Sequence, residues 1–244
     1  MNLLYSLLLL SISIPALARP VFPGELKDEL HKATAEGHRS LDYKSARIKM
    51  FNILYLEQDE QGFYNKDVYC TTKHYRASAT EAAPTIELPD HTVMNTEHTW
   101  PQSRFSTEFN DEVQKTDLHH LYPTFSKINA ERGNYQFAEV GVETNRKPLS
   151  CAVSKLGNPK GYGQGVFFEP HQSHKGNVAR ALFYFSIRYK LPIAPVEEIF
   201  LKYWHMIDPV DPEESRRNEL ISTIQNNRNP FIDRPELVLQ ISDF

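Results

Sequence analysis

The chain has 244 residues, with 27 lysines and arginines against 31 aspartates and glutamates and a formal charge of −4. With 40% hydrophobic and 24% charged residues it is an ordinary globular composition, which excludes a disordered, collagenous or polytopic membrane chain and a protein that coats nucleic acid by bulk charge. Two cysteines, Cys70 and Cys151, exclude a disulfide-scaffold mini-protein and a four-cysteine zinc module.

The one long apolar run is Leu3 to Ile14, followed by Pro15 and Ala16-Leu17-Ala18. It is shorter than the roughly 20 residues of a membrane span, and the A-x-A triplet suits signal peptidase, so residues 1–18 read as a secretory signal and 19–244 as one domain. No Lys or Arg precedes Arg19, so the usual basic n-region is missing. Export permits a Cys70–Cys151 disulfide. Two buried thiols are the alternative, and both readings stay open.

Glu25 to Leu56 has helical apolar spacing, broken at Gly37 to Ser40. Phe63 to Cys70 and His91 to Glu97 read as strands on either side of a Pro84 to Pro89 loop, and a helix is expected from about Pro123 to Glu131, ended by Gly133. Asn145 to Glu169 reads as a turn-rich loop. Its Gly161, Gly163 and Gly165 lack the dinucleotide-binding spacing. Asn177 is placed as the cap of a bulky apolar helix running to Tyr189, and Pro195 opens another to Met206. Asp211-Pro212-Glu213-Glu214 combines an N-cap, a first-turn proline and a capping-box glutamate for a helix ending near Asn229-Pro230.

Charge is uneven along the chain. Asn145 to Lys190 holds eight lysines and arginines (Arg146, Lys147, Lys155, Lys160, Lys175, Arg180, Arg188, Lys190) against the single carboxylate Glu169, a local +7. Such a block suits a positive face for a polyanion, or charges scattered over a solvated surface.

Chemistry concentrates in three segments, Asn95-Thr-Glu97-His98-Thr-Trp-Pro-Gln102-Ser103, Asp117-Leu-His119-His120-Leu-Tyr-Pro-Thr124 and Ile128-Asn129-Ala-Glu-Arg132-Gly133-Asn134. The H-E-x-x-H helix of zinc peptidases, its inverted form, the G-x-S-x-G elbow and the P-loop are all absent. What remains is a hard-metal site of oxygen ligands with a histidine to move a proton. Glu97 and His98 are neighbours, and neighbours on a regular strand face opposite ways, so both serve one site only where the strand ends; Trp100-Pro101 is placed to end it. Asn129 and Arg132, three apart, share a helix face.

These segments, in this order, resemble the central motif of the bacterial endonuclease I family. Phe168 to Tyr189 and Asp211 to Leu237 are similar to its C-terminal blocks, so the resemblance runs from about Leu41 to Leu237. It implies an α+β fold, a mainly helical single domain around a small antiparallel sheet with a ββα-metal (His-Me) finger. It further implies a secreted or periplasmic Mg2+-dependent, sequence-nonspecific endonuclease that cuts DNA, with RNA a second substrate, and leaves 5′-phosphate ends. In this pattern His98 is the general base, and Glu97 and Asn129 hold the metal (Ca2+ or Mn2+ as substitutes); Arg132, on the helix face of Asn129, reaches a phosphate or forms a salt bridge to a neighbouring carboxylate. Arg104, Lys175 and Arg180 are further substrate contacts, although the family's arginine between the His98 and Asp117 segments has no clear match here. Asp117, His119 and His120 are expected to orient the strand pair or a carbonyl behind His98. A monomer free of the membrane is expected. The alternative from another class is a secreted polyanion-binding protein without catalysis, which has no need to keep Glu97, His98 and Asn129 together.

Overall fold

The computed structural model describes residues 23–70, 74–76, 87–143 and 149–244, so the expected signal segment lies outside the described residues. Helices α1 (Pro23–Ala35) and α2 (Tyr43–Lys49) stand on either side of the anticipated break, and α2 runs on as a π-helical turn, Met50–Leu54. Three small sheets follow instead of one. β1 (Leu56–Asp59), β2 (Gly62–Lys66) and β3 (His74–Arg76) form an antiparallel meander. β4 (Met94–His98) pairs antiparallel with β5 (Leu121–Phe125). β6 (Gln136–Phe137), β7 (Val140–Glu143), β8 (Lys155–Pro159) and β9 (Phe167–Glu169) form a sheet in the order β6-β9-β8-β7, whose β6–β9 contact is parallel. Helix α3 (Asp111–Lys115) lies between β4 and β5 in sequence, and α4 (Ser126–Arg132) follows β5. α5 (Lys175–Tyr189), α6 (Pro195–Ile207), α7 (Pro212–Gln225) and α8 (Pro230–Asp233) complete the chain.

The segment expected to be a loop, Asn145 to Glu169, therefore contains two strands. Gly157 hides β8 from a pattern reading, yet glycine is what the pairing needs there, since a Cβ would lie 2.2 Å from the Val142 carbonyl oxygen. The strand expected to run to Cys70 stops at Lys66 because Asp67 takes the chain elsewhere. Its carboxylate accepts the backbone N–H groups of Tyr69 and Cys70, both at 2.7 Å, and that of Phe125 at 2.7 Å, tying the first sheet to the end of β5.

α5 is the centre of the molecule. Every residue in it except Asn177 is buried, as its apolar residues on all sides require. It begins at Lys175, so Asn177 is not its cap. Its first turn is served by the Asp208 carboxylate, which accepts from the Gly176 N–H at 2.8 Å. Asp211 does cap α7, accepting from the Glu214 N–H at 2.7 Å, but Glu214 closes no capping box; its carboxylate grips Arg180 at 2.8 and 2.9 Å. α7 ends at Gln225, where Asn226 adopts a left-handed conformation, and Asn229 caps α8 instead.

α5 also overturns the expected basic face. Lys175 is buried between Glu139 and Glu169, Arg180 is buried against Glu214, and Arg188 is buried beside His38. Lys155 pairs with Glu169. A charge on a helix that lies wholly inside the fold must be neutralised inside it, whatever the local sum.

Cys70 and Cys151 are joined, with Cα atoms 5.5 Å apart across 81 residues of sequence. Closing so long a loop is worth about 2–4 kcal/mol. Replacing both cysteines by serine is therefore expected to lower the unfolding free energy by about that amount, read from urea midpoints with unchanged slopes.

Candidate active site

β4, β5 and α4 form the frame. The strands pair from Met94↔Phe125 to His98↔Leu121, and α4 starts one residue after β5 ends. β4 stops at His98, as the adjacency of Glu97 and His98 demands. Gly133, at φ 56°, closes α4 in a conformation that side-chain-bearing residues avoid.

Glu97 is 1% exposed. Its Oε1 accepts from the Tyr69 hydroxyl at 2.7 Å and faces the Arg132 guanidinium at 3.1 Å, while Oε2 has no hydrogen-bond partner among the described residues. Burial pushes the carboxyl above its ordinary pKa, and Arg132 and the Tyr69 hydroxyl oppose that push. Arg132 also donates to the carbonyls of His98 at 3.2 Å and Thr99 at 2.5 Å, and lies over the Phe137 ring. It is itself 1% exposed. The expected phosphate contact is thus replaced by a buried ion pair that holds the end of β4.

His98 has its Nε2 3.1 Å from the Lys115 carbonyl oxygen. A carbonyl only accepts, so the ring proton belongs on Nε2 and the lone pair on Nδ1. The exposed Gln102 side chain sits at that lone pair, its Nε2 3.3 Å away. Tyr43 stacks on the ring, and Phe105 and His120 meet it edge-on. Burial lowers the His98 pKa to about 4, so the imidazole is neutral at pH 7.

Asn129 donates its Nδ2 protons to Asn95 Oδ1 at 2.6 Å and to the Thr96 carbonyl at 3.2 Å. Both amide protons are spent, which leaves Oδ1 without a partner among the described residues.

The three residues behind the site divide. His120 donates from Nε2 to the Gln114 carbonyl at 2.8 Å, next to the carbonyl that orients His98, and its ring is 5.4 Å from the His98 ring. His119 turns away to Tyr184 and the Asn227 carbonyl. Asp117 is buried and accepts from Tyr184, Tyr189 and Gln225, each at 2.8 Å. Burial disfavours its charge, but His38, His119 and His120 and the Gln225 amide hold its pKa below the usual carboxylate range. Of the substrate contacts expected beside Arg132, Lys175 and Arg180 are buried in ion pairs away from β4. Arg104 lies over Trp100 with one Nη 3.4 Å from Glu197, and its Nε and other Nη have no hydrogen-bond partner among the described residues.

A motif reading does not single out Tyr69, Asn95, Gln102 or the Lys115 carbonyl. Asn95 carries a signal, since two residues before Glu97 it shares that side of the strand. Tyr69 carries none, because it is 28 residues from its partner.

The profile of the family described as Endonuclease I matches residues 24–236. The chain belongs to the endonuclease I family. It is 32% identical over 232 residues to an extracellular ribonuclease of Bacillus amyloliquefaciens, covering 86% of this chain and 71% of that protein. A similar match, 31% identical over 86% of this chain and 72% of the other, is an extracellular ribonuclease of Bacillus subtilis (strain 168). A periplasmic deoxyribonuclease of Aeromonas hydrophila is 30% identical over 129 residues, 53% of this chain and 51% of that one. Membership and relatives together make this endonuclease a nucleic-acid hydrolase.

Two outcomes follow from the buried charges. Arg132→Met should destabilise the endonuclease by about 3–5 kcal/mol in urea unfolding, because it strands the Glu97 carboxylate, whereas an arginine that only touched substrate would leave stability unchanged. Burial lowers the pKa of His119 to about 4 and those of His120 and His174 to about 3. Folded values below the unfolded one mean that the unfolded chain takes up protons first. The stability of keeping these rings neutral is thus full above pH ~6.5 and is lost as pH falls toward 3. Acid unfolding followed by circular dichroism is expected with a midpoint at about pH 4–5.

Proposed function

We propose that this chain is an exported, Mg2+-dependent endonuclease that hydrolyses phosphodiester bonds within DNA and RNA with little dependence on sequence, using β4, β5 and α4 as a ββα-metal (His-Me) finger. The observation that carries this reading is the pairing of a tautomer-fixed imidazole with an unspent amide oxygen. Nε2 of His98 is tied to the Lys115 carbonyl, which leaves Nδ1 as the base, and Asn129 Oδ1 is left to ligate beside it.

The residues suit a hard cation. Glu97 Oε2 and Asn129 Oδ1 are oxygen donors without hydrogen-bond partners among the described residues. Such a sparse donor set matches magnesium, which keeps several waters and takes one or two protein oxygens plus a phosphate. Bound there, the ion supplies Lewis-acid stabilisation of charge on the phosphate and the leaving 3′ oxygen. Arg132 favours the ionised form of Glu97, against the effect of burial. His98, neutral at pH 7, takes a proton on Nδ1 from the attacking water once the Gln102 amide gives way to it, and the Lys115 carbonyl stabilises the resulting imidazolium through Nε2–H. In-line attack at phosphorus then leaves the phosphate on the 5′ end.

Relatives named as extracellular ribonucleases and as a periplasmic deoxyribonuclease support both substrates and an exported location. A disulfide suits an oxidising compartment, and among the described residues no helix is long and apolar enough to cross a membrane. We read the protein as a monomer. A non-catalytic polyanion binder is disfavoured, because Lys175, Arg180 and Arg188, which such a surface would use, are inside the fold.

His98→Ala should reduce plasmid and RNA cleavage by about 10²–10⁴-fold with the circular dichroism spectrum of a folded protein retained; retention of full activity overturns the assignment of the base. Glu97→Gln keeps a side chain for Tyr69 and Arg132 to hold yet should lose Mg2+-dependent cleavage. Activity undiminished in excess chelator rejects the metal.

A further inference from the structure

Gln102 covers the lone pair of His98, and its placement is too well supported for a side chain that only moves aside. Its Nε2 lies 3.3 Å from Nδ1 of the ring, a long hydrogen bond. Chemistry fixes the orientation of the amide. The Lys115 carbonyl takes the proton on the ring Nε2, so Nδ1 only accepts, and of the two ends of a carboxamide only the NH2 donates. Gln102 Oε1 is left without a hydrogen-bond partner among the described residues.

The residue is exposed, yet the backbone that carries it is held without its side chain. Gln102 opens a 3-10 turn, Gln102–Arg104, behind the buried Pro101. The Arg104 N–H donates to the Pro101 carbonyl at 2.9 Å, and the Phe105 N–H donates to the Gln102 carbonyl at 3.2 Å. The Trp100 indole N–H donates to the Arg104 carbonyl at 2.9 Å, and the Trp100 ring stacks on Phe185 of α5, 5.3 Å between centroids. Asn134, just past the end of α4, donates to Ser103 Oγ at 3.3 Å. The turn is thus tied to the central helix and to the end of the helix that carries Asn129. A carboxamide on a fixed backbone, with one long hydrogen bond to surrender, can exchange partners without movement of the fold.

We propose that Gln102 is a positioning residue for the nucleophilic water, which rests on the reading of His98 as the base. When water takes the Nδ1 lone pair it donates one proton there, and the displaced carboxamide, pivoting on the fixed turn, accepts the second proton on Oε1. A histidine alone leaves the water free to rotate about its bond to Nδ1. Fixing both protons also fixes the lone pairs, one of which must face phosphorus for in-line attack. As the O–P bond forms, the first proton passes to Nδ1 and the second stays on the attacking oxygen. The bond from phosphorus to the 3′ oxygen breaks, and that oxygen takes a proton from solvent. A glutamine orients the attacking water in GTP hydrolysis through the same group.

The test uses the intact mature protein and a short fluorogenic DNA with Mg2+. Gln102→Met keeps the length of the side chain without its polar atoms. It should lower kcat by about 10–100-fold with KM within about 2-fold of the wild type. Its melting temperature should stay close to the wild type, because the position is exposed. Affinity for the same DNA in EDTA, read by fluorescence anisotropy, should not change. Gln102→Glu keeps an acceptor at the same reach, so its kcat should stay several-fold above that of Gln102→Met while its charge raises KM. Added to His98→Ala, Gln102→Met should cost nothing further, since the two act on one water. Four results would each overturn the proposal. A kcat in Gln102→Met equal to or above the wild type makes the amide a cover of the resting base only, and weaker DNA binding in EDTA makes it a substrate contact. Equal kcat values for the Met and Glu variants remove the acceptor, and an undiminished further loss in His98→Ala makes Gln102 independent of the base. Full activity of His98→Ala by itself would sink the base, whereas an inactive His98→Ala beside a fully active Gln102→Met would sink Gln102 alone.

Discussion

A carboxylate placed in a protein interior must be neutralised where it lies, and the contact between Glu97 and Arg132 does this at the centre of the ββα unit. Removing two such ions from water costs several kcal/mol each, and the cost is recovered only when the remaining donors are also used. Arg132 uses them on the His98 and Thr99 carbonyls, and Tyr69 adds its hydroxyl to the same carboxylate. One ion pair therefore fixes the end of β4, the position of α4 and the segment that leads from Asp67 to the disulfide. Glu97 keeps one oxygen outside this arrangement, so a structural ion pair and a metal ligand are compatible in one residue.

The same accounting governs the +7 block. Lys175, Arg180 and Arg188 lie on a helix whose surroundings are protein, and their charge is answered by Glu139, Glu169, Glu214 and the acceptor His38. Local net charge thus says little about a surface until burial is known. For an enzyme on a polyanion this has a consequence. With these cations inside the fold, fewer phosphates are neutralised on binding and fewer counterions are released, so affinity for nucleic acid depends less steeply on salt than the sequence sum implies.

The legible parts of the sequence were those set by local chemistry. Glu97, His98 and Asn129 lie within 33 residues, and strand alternation, the i+3 helix face and the glycine at 133 each follow from neighbours in the chain. Pro195 at a first turn and Asp211 as a cap are local in the same sense. What escaped was set by distance in sequence. Tyr69 meets Glu97 from 28 residues away and Arg180 meets Glu214 from 34 residues away, so no motif announces either pair. β8 and β9 escaped for another reason. Both are short, β8 is interrupted by Gly157 and ends on Pro159, and Phe167 and Phe168 of β9 are buried against the core.

Burial also decides what kind of base His98 would be in the proposed mechanism. An exposed histidine near its ordinary pKa of 6.5 would be partly protonated in mildly acidic surroundings and unable to accept a proton. Packed between Tyr43, Phe105 and His120, with Nε2–H committed to the Lys115 carbonyl, the ring is held neutral, in one tautomer and in one orientation. The cost is a weaker base, as the lowered pKa states. That weakness is tolerable only if the water it deprotonates is itself made more acidic, which an imidazole cannot do alone. In the proposed mechanism the buried histidine and the two unspent oxygens of Glu97 and Asn129 would thus be halves of one requirement: the more completely the fold desolvates such a base, the more that mechanism depends on a cation beside it.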